Sequence, residues 1–158
     1  METKKLNWKF MVPWVLLIVF VVTRLTGLWG TYIVSGQSMM PNYKDGQFLL
    51  GSNIGLKNGV ERYDVVFVTA PDGEKVIKRI IGLPGETVRI EQGKVYINNQ
   101  LLPEDYLDNA HTTLTYDYHE IQLGDNEIFI MGDNRDNSLD SRYYGPVTLD
   151  KLISQPLW

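Results

Sequence analysis

No cysteine occurs in the 158 residues. That excludes disulfides and a thiol nucleophile. It suits an exported domain that avoids stray oxidation, without by itself identifying a compartment. Histidine is scarce too: His111 and His119 are the two present, and without cysteine they argue against a structural zinc site. Alanine is missing before Ala70, so the apolar run near the N-terminus is not followed by the Ala-x-Ala site that ends a cleaved secretory signal. Positive charge is sparse beyond that run. Four of the 15 basic and one of the 19 acidic residues precede Thr31, which leaves 11 against 18 and a net of −7. A nucleic-acid surface needs concentrated positive charge, so that class of partner is excluded.

What is present begins with "FMVPWVLLIVFVVT", Phe10–Thr23, which is uncharged. Fourteen residues are short for a membrane span, but Lys9 and Arg24 can snorkel, and Trp8, Trp14 and Trp29 can sit at the interfaces. Apolar character resumes after Arg24 as "LTGLWG". The run therefore reads as one uncleaved transmembrane anchor over 10–30, in preference to a cleaved signal or a buried core helix. Lys4, Lys5 and Lys9 keep residues 1–9 in the cytoplasm. The remainder, 31–158, is then an extracytoplasmic domain on a single-pass cell-membrane protein, with the lipid bilayer as a partner. The length allows one domain plus this appendage.

Periodicity changes from helical to extended after residue 30. "TYIV" (31–34), "QFLL" (47–50), "DVVFVT" (64–69), "EKVIKRIIG" (74–82), "ETVRIE" (86–91), "KVYIN" (94–98) and "EIFIMG" (127–132) are rich in Val, Ile, Phe and Tyr and separated by Gly, Pro, Asn and Asp. They read as short strands, with "EQGK" (91–94) as a hairpin turn. The expected fold is mostly β, a curled antiparallel sheet or barrel-like sandwich. A small insertion is expected at about 92–126, its polar part at 99–126 holding both histidines as surface residues. The terminal "QPLW" reads equally as bilayer contact or core.

Three segments carry candidate chemistry. "SGQSMMP", Ser35–Pro41, follows the strand that leaves the anchor; such a serine is commonly part of a turn. Lys78 interrupts the apolar "KVIKRIIG"; the commoner fate of such a lysine is to snorkel from an edge strand. Taken together, the two suggest more. A serine hydroxyl needs a base, no histidine triad is available, and a lysine desolvated between Ile77 and Ile80 loses proton affinity and can serve. The third segment, "GDNRDNSLDSRYYG", Gly132–Gly145, fits a loop of Asx turns, a calcium loop through Asp136, Ser138 and Asp140, or a packed ion-pair network. Against calcium, the EF-hand glycine and closing glutamate are absent.

These segments resemble the boxes of type I signal peptidases, membrane serine peptidases that remove signal peptides. "SGQSMMP" is similar to the nucleophile box, "RYDVVFV" (62–68) to a core-strand box and "IKRIIGLPGE" (77–86) to the lysine box. "GDNRDNSLDSRYYG" matches the last box almost residue for residue. The order and spacing cover essentially the whole chain, and the single anchor resembles compact Gram-positive-type members. The resemblance implies Ser38 as nucleophile and Lys78 as general base, and puts the Ser38 N–H in the oxyanion hole. Ser138 would orient Lys78, and Asp140, Arg142 and Arg79 would supply bracing ion pairs. Gly36, Gln37 and Met39 would lie among the oxyanion and substrate-binding residues, Met39 helping to shape the lysine's apolar surroundings and the binding cleft. It implies no cofactor, and exported preproteins with Ala-x-Ala sites as substrates. Three residues depart from the pattern. Gly36 stands where some relatives carry a serine that completes the oxyanion hole, Asn42 replaces a threonine, and Tyr63 replaces a glycine. The alternatives are an SOS-repressor-like Ser-Lys autopeptidase, disfavoured by the anchor and the last box, and a tethered β module without activity.

Overall fold

A computed structural model describes residues 8–25, 28–108, 110, 112 and 117–157; Lys4, Lys5 and His111 lie outside them. The apolar run forms helix α1 (Trp8–Leu25). Its side chains from Trp8 to Val22 are exposed all round, the pattern of a helix with no polar face. Among the described residues, no helix is long and apolar enough to cross a membrane. Trp29 and Gly30, expected within the anchor, instead open the first strand, paired with Ser52 and Gly51.

Among the described residues eleven strands follow: β1 (Trp29–Ile33), β2 (Phe48–Ser52), β3 (Val65–Thr69), β4 (Lys75–Gly82), β5 (Thr87–Glu91), β6 (Lys94–Ile97), β7 (Gln100–Leu101), β8 (Tyr118–Gln122), β9 (Glu127–Met131), β10 (Val147–Thr148) and β11 (Leu152–Pro156), with the one-turn helix α2 (Ser141–Tyr144) between β9 and β10. Seven make an antiparallel sheet in the order β1-β2-β11-β3-β4-β9-β10, and four make a second in the order β7-β6-β5-β8. The end of β1 and the start of β4 line one groove although three strands separate them in the sheet order. The large sheet is therefore curled.

Alternation along the strands sorts the core. Val66 and Val68 of β3 with Ile80, Ile128 and Ile130 form one cluster. Phe67, facing the other way, joins Val34, Met39, Leu49 and Ile77. Phe129 and Met131 of β9 turn from the first cluster to a third, shared with Val88, Ile90, Val95, Ile97 and Leu123 of the second sheet. The segment 92–126 thus supplies three of the four strands of a sheet whose core is continuous with the larger one. Gln92 and Gly93 both have positive φ (51° and 74°), the two-residue turn that suits a tight hairpin. β11, central in the large sheet, holds Gln155 and Pro156 of the terminal "QPLW"; Leu157 is exposed.

Gly82 marks the closest approach of the two sheets. A Cβ there would lie 2.6 Å from Val88 Cγ2, 2.8 Å from Leu123 Cδ1 and 3.0 Å from Phe129 Cβ. Overpacking of this kind typically destabilises by about 1–3 kcal/mol. Gly82→Ala should therefore lower the unfolding free energy by that amount, read as a lower urea midpoint at unchanged slope; an unaltered midpoint would show that the three side chains yield freely.

Candidate active site

The loop from Val34 to Gln47 is closed at its base, the Val34 N–H donating to the Gln47 carbonyl and the Gly46 N–H to the Val34 carbonyl (both 2.9 Å). Within it, Gly36 has φ +88°, a left-handed conformation that glycine adopts without strain. Its N–H donates to Asp45 Oδ1 at 2.8 Å. Met39 is fully buried among Val34, Leu49, Phe67 and Ile77, which seats the loop on the core. Gln37 is exposed and Ser38 half-buried. The Ser38 carbonyl accepts from the Asn134 N–H at 3.0 Å. Among the described residues the Ser38 N–H has no protein acceptor.

Lys78 lies on β4 opposite Val66 of β3, and its residue is 3% exposed. Its Nζ donates to Ser38 Oγ at 2.7 Å. Burial pulls the amine from an ordinary 10.5 down to about 8; Asp140 and Asp133 oppose the shift and Arg142 adds to it. An amine of that basicity is substantially neutral just above physiological pH, and at 2.7 Å its lone pair can receive the serine proton.

Residues 132–142 form the wall behind the pair. Asp140 is completely buried and accepts from the Gly132 N–H (2.9 Å), the Ser138 hydroxyl (2.7 Å), the Arg142 N–H (3.2 Å), Arg142 Nε (2.8 Å) and Arg142 Nη2 (2.9 Å). Those donors leave the carboxylate no capacity for a cation, which disposes of the calcium-loop alternative. Among the described residues no group of three metal-ligating side chains exists. Ser138, expected to bond Lys78, gives its proton to Asp140 instead, because a charge-assisted bond to an anion two residues away is the stronger option. A Cβ on Gly132 would meet Ser138 Oγ at 2.2 Å and the Ser38 carbonyl oxygen at 2.4 Å. The absence of a side chain at 132 thus lets this wall touch the nucleophile loop.

Arg79 does not join the Asp140–Arg142 pair. It sits opposite Met131 in the β4–β9 ladder and reaches Asp133, two residues further on, through Nε–Oδ1 (2.8 Å) and Nη2–Oδ2 (2.6 Å). Its Nη1 donates to the Tyr63 carbonyl (2.9 Å), and its guanidinium lies 4.3 Å from the Tyr106 ring centroid.

Several residues of this network escape the sequence reading. Asp133 was legible only as part of an acidic box. Asn42 donates to Asp133 Oδ2 (2.9 Å) and to the Tyr106 carbonyl (3.0 Å), so a departure from the family pattern ties the nucleophile loop to the wall. Tyr63 has φ +73°, which explains why glycine is common at that position; its hydroxyl donates to the Pro103 carbonyl at 2.7 Å. Arg135 pairs with Glu104 of the segment expected to be an insertion. Only tertiary contact reveals these partners.

Beside Ser38 and Lys78 runs a groove of about 160 Å3, lined by Tyr32–Ser35 on one side and Lys75–Ile77 on the other, with Phe67 stacked on Tyr32 at 3.9 Å between ring centroids. β1 is an edge strand of the large sheet. Its outer edge therefore has backbone groups available to an extended peptide.

The buried amine also has a thermodynamic signature. Folding lowers the proton affinity of Lys78, so the folded state binds fewer protons than the unfolded chain between pH 8 and 10.5. The penalty for the buried charge is full below pH 8 and vanishes above 10.5. At 1.36 kcal/mol per pKa unit it amounts to about 3 kcal/mol. Lys78→Met should accordingly be more stable than the wild-type protein at pH 7, by up to that amount. Urea unfolding from pH 7 to pH 10.5 should show the advantage shrink as pH rises. A constant difference across that range would mean that the lysine is not held neutral by its surroundings.

Comparison with known proteins gives the family. Residues 7–157 match the family model described as signal peptidase, peptidase S26. The chain is 31% identical over 134 residues to signal peptidase I V of Bacillus subtilis (strain 168), covering 77% of this chain and 80% of that one. It is 28% identical over 155 residues to signal peptidase I of Bacillus caldolyticus, covering 90% and 85%. The crystal structure of a signal peptidase I from Enterococcus faecalis V583 superposes with a TM-score of 0.55 at 33% identity, over 61% of this chain and 95% of that chain. On these matches, the chain belongs to the peptidase S26 family of signal peptidases.

Proposed function

We propose that this signal peptidase I is anchored to the membrane by α1 and cuts signal peptides from exported preproteins by acyl transfer, with Ser38 as nucleophile and Lys78 as base. The observation that carries the mechanism is the 2.7 Å contact between Lys78 Nζ and Ser38 Oγ at a buried lysine of lowered basicity. A tethered module without activity would have no need to bury an amine against a hydroxyl.

An extended segment of the preprotein adds alongside the free edge of β1 and faces β4 across the groove, so main-chain hydrogen bonds supply affinity with little regard to sequence. The groove is small and its walls include the Tyr32–Phe67 stack, which favours alanine-sized side chains at the first and third positions before the cut. Neutral Lys78 takes the Ser38 proton as Oγ attacks the carbonyl carbon. The Ser38 N–H stabilises the oxyanion, a contribution of roughly 3–4 kcal/mol per donor. Lys78 then protonates the leaving amine and activates the water that hydrolyses the acyl-enzyme. Gly36 N–H is committed to Asp45; its part is to shape the loop rather than to donate to the oxyanion.

The anchor reading rests on α1, whose apolar side chains face outward on every side. Eighteen residues span about 27 Å against a hydrocarbon core of about 30 Å. Snorkelling from Lys9 and Arg24 and slight bilayer thinning make up the difference. The basic N-terminal side places residues 1–9 in the cytoplasm and the β domain outside.

Cleavage of an Ala-x-Ala preprotein in detergent micelles, with mass spectrometry to locate the new N-terminus, tests the reading. The wild-type protein should cut after the final alanine, and Ser38→Ala and Lys78→Met should not. Below pH 8, kcat/KM should rise about tenfold per pH unit and level off above it, since only the neutral amine acts as base. Full activity of Lys78→Met, or a rate independent of pH between 6 and 9, would assign the base to another group.

A further inference from the structure

The junction between α1 and the sheet is fastened by a cluster of contacts that the chemistry at Ser38 does not use. Trp29, the first residue of β1, donates its indole N–H to Thr23 Oγ1 at 2.9 Å. Its ring lies 4.9 Å from that of Phe20 and 5.2 Å from the Arg24 guanidinium. Arg24 Nη1 donates to the Trp29 carbonyl at 3.3 Å. Phe20, Thr23 and Arg24 follow one another at i, i+3 and i+4, so one face of the last helical turn grips one side chain of the strand. The base of the strand is fixed in turn. The Leu28 N–H donates to the Thr23 carbonyl (3.2 Å), and the Leu28 carbonyl accepts from Ser52 Oγ (3.0 Å) and the Asn53 N–H (3.2 Å).

From Trp29, β1 runs without interruption to the groove, where Tyr32–Ser35 form one wall beside Ser38. Six residues at about 3.3 Å each set a path of about 20 Å from the latch to Ser35. A helix joined to a sheet by a loose tether would let the sheet sample many orientations. This junction removes that freedom, and an orientation fixed before encounter raises the effective concentration of one site near another.

We infer that Trp29 is a positioning residue: it locks α1 to β1, so that a preprotein whose own apolar segment lies in the bilayer beside α1 meets the groove at a fixed height and angle. The inference rests on the membrane-anchored reading above. It concerns substrates delivered within the bilayer and makes no demand on the reaction at Ser38. Loss of the latch should leave the catalytic pair untouched while spoiling delivery.

The test uses the full chain reconstituted into phospholipid vesicles with two substrates, a preprotein embedded in the same vesicles and a short soluble peptide carrying the same Ala-x-Ala cut. Trp29→Ala should reduce kcat/KM for the embedded preprotein about tenfold and leave that for the soluble peptide within twofold. Trp29→Phe, which keeps the ring contact with Phe20 but lacks the indole N–H, should recover most of the loss. Thr23→Val, which removes the indole's acceptor and leaves Trp29 in place, should reproduce part of it. Equal losses on both substrates would make Trp29 a merely structural residue and overturn the inference, as would an unchanged rate on both. Vesicle flotation of each protein separates the two readings. If the wild-type protein does not float with the vesicles, the anchor reading fails and the latch falls with it. If it floats and Trp29→Ala still discriminates no better than wild type, the latch alone is wrong.

Discussion

An amine on an inner strand of an antiparallel sheet loses most of its hydration, and Lys78 stands in that position between β3 and β9. Desolvation alone would make it a base, but two carboxylates lie near enough to restore the proton. Asp140 and Asp133 both act to raise its proton affinity. Each is held in a bidentate grip by an arginine, Arg142 in one case and Arg79 in the other, and Arg142 offsets part of the pull of Asp140 on the Lys78 proton. Burial therefore prevails over charge, and the amine settles near 8. The ion pairs that look like bracing also temper the field at Lys78. Removing Arg142 would strand the buried Asp140 carboxylate and raise the proton affinity of Lys78.

The same arrangement explains why the chain brings three distant segments to one point. Ser38 arrives on a loop pinned by Met39 and by the Asp45–Gly36 contact. Lys78 arrives on β4. The wall from Gly132 onward arrives at the end of β9, the strand paired to β4. Gly132 is the point of closest contact, since any side chain there would collide with Ser138 and with the backbone of Ser38. Asn134 donates to the Ser38 carbonyl and Asn42 donates to Asp133. The nucleophile loop is thus tied to the wall from both sides, and the 2.7 Å contact is held by packing rather than by its own modest energy.

How much of this could be read beforehand depended on whether the signal was local. β3, β4, β5, β6 and β9 announce themselves through Val, Ile and Phe alternation, and their observed bounds lie within a residue of the expected ones. β11 carries Ser154, Gln155 and Pro156, which look like a tail; it becomes a central strand because Gly51 and Ser52 across the ladder accept it. β8 was hidden in a polar stretch, since only Tyr118 and Ile121 of its five residues turn towards the core. Ser38 and Lys78 were legible as a hydroxyl and an out-of-place charge, and the family resemblance joined them. Side-chain partners were not legible. Ser138 was paired with Lys78 and Arg79 grouped with Asp140, because sequence orders residues along the chain but does not say which face of which strand they reach. Asn42 and Tyr63 read only as departures from the family pattern; one bridges two elements and the other holds a positive φ that glycine adopts more easily.

Depth of burial further separates the chemistry from the solvent. The domain beyond Thr31 carries a net −7, a field that screened water attenuates over about 8 Å at physiological ionic strength. Charges at the surface of such a domain respond to salt. The charges nearest Lys78 do not, because Asp133, Asp140 and Arg142 are buried along with it and ions cannot come between them. What sets the lysine's basicity is exclusion of water by β-sheet packing, together with ion pairs that cancel in part. Changes in the surrounding salt therefore reach the surface of the domain and leave the proton affinity of Lys78 unaltered.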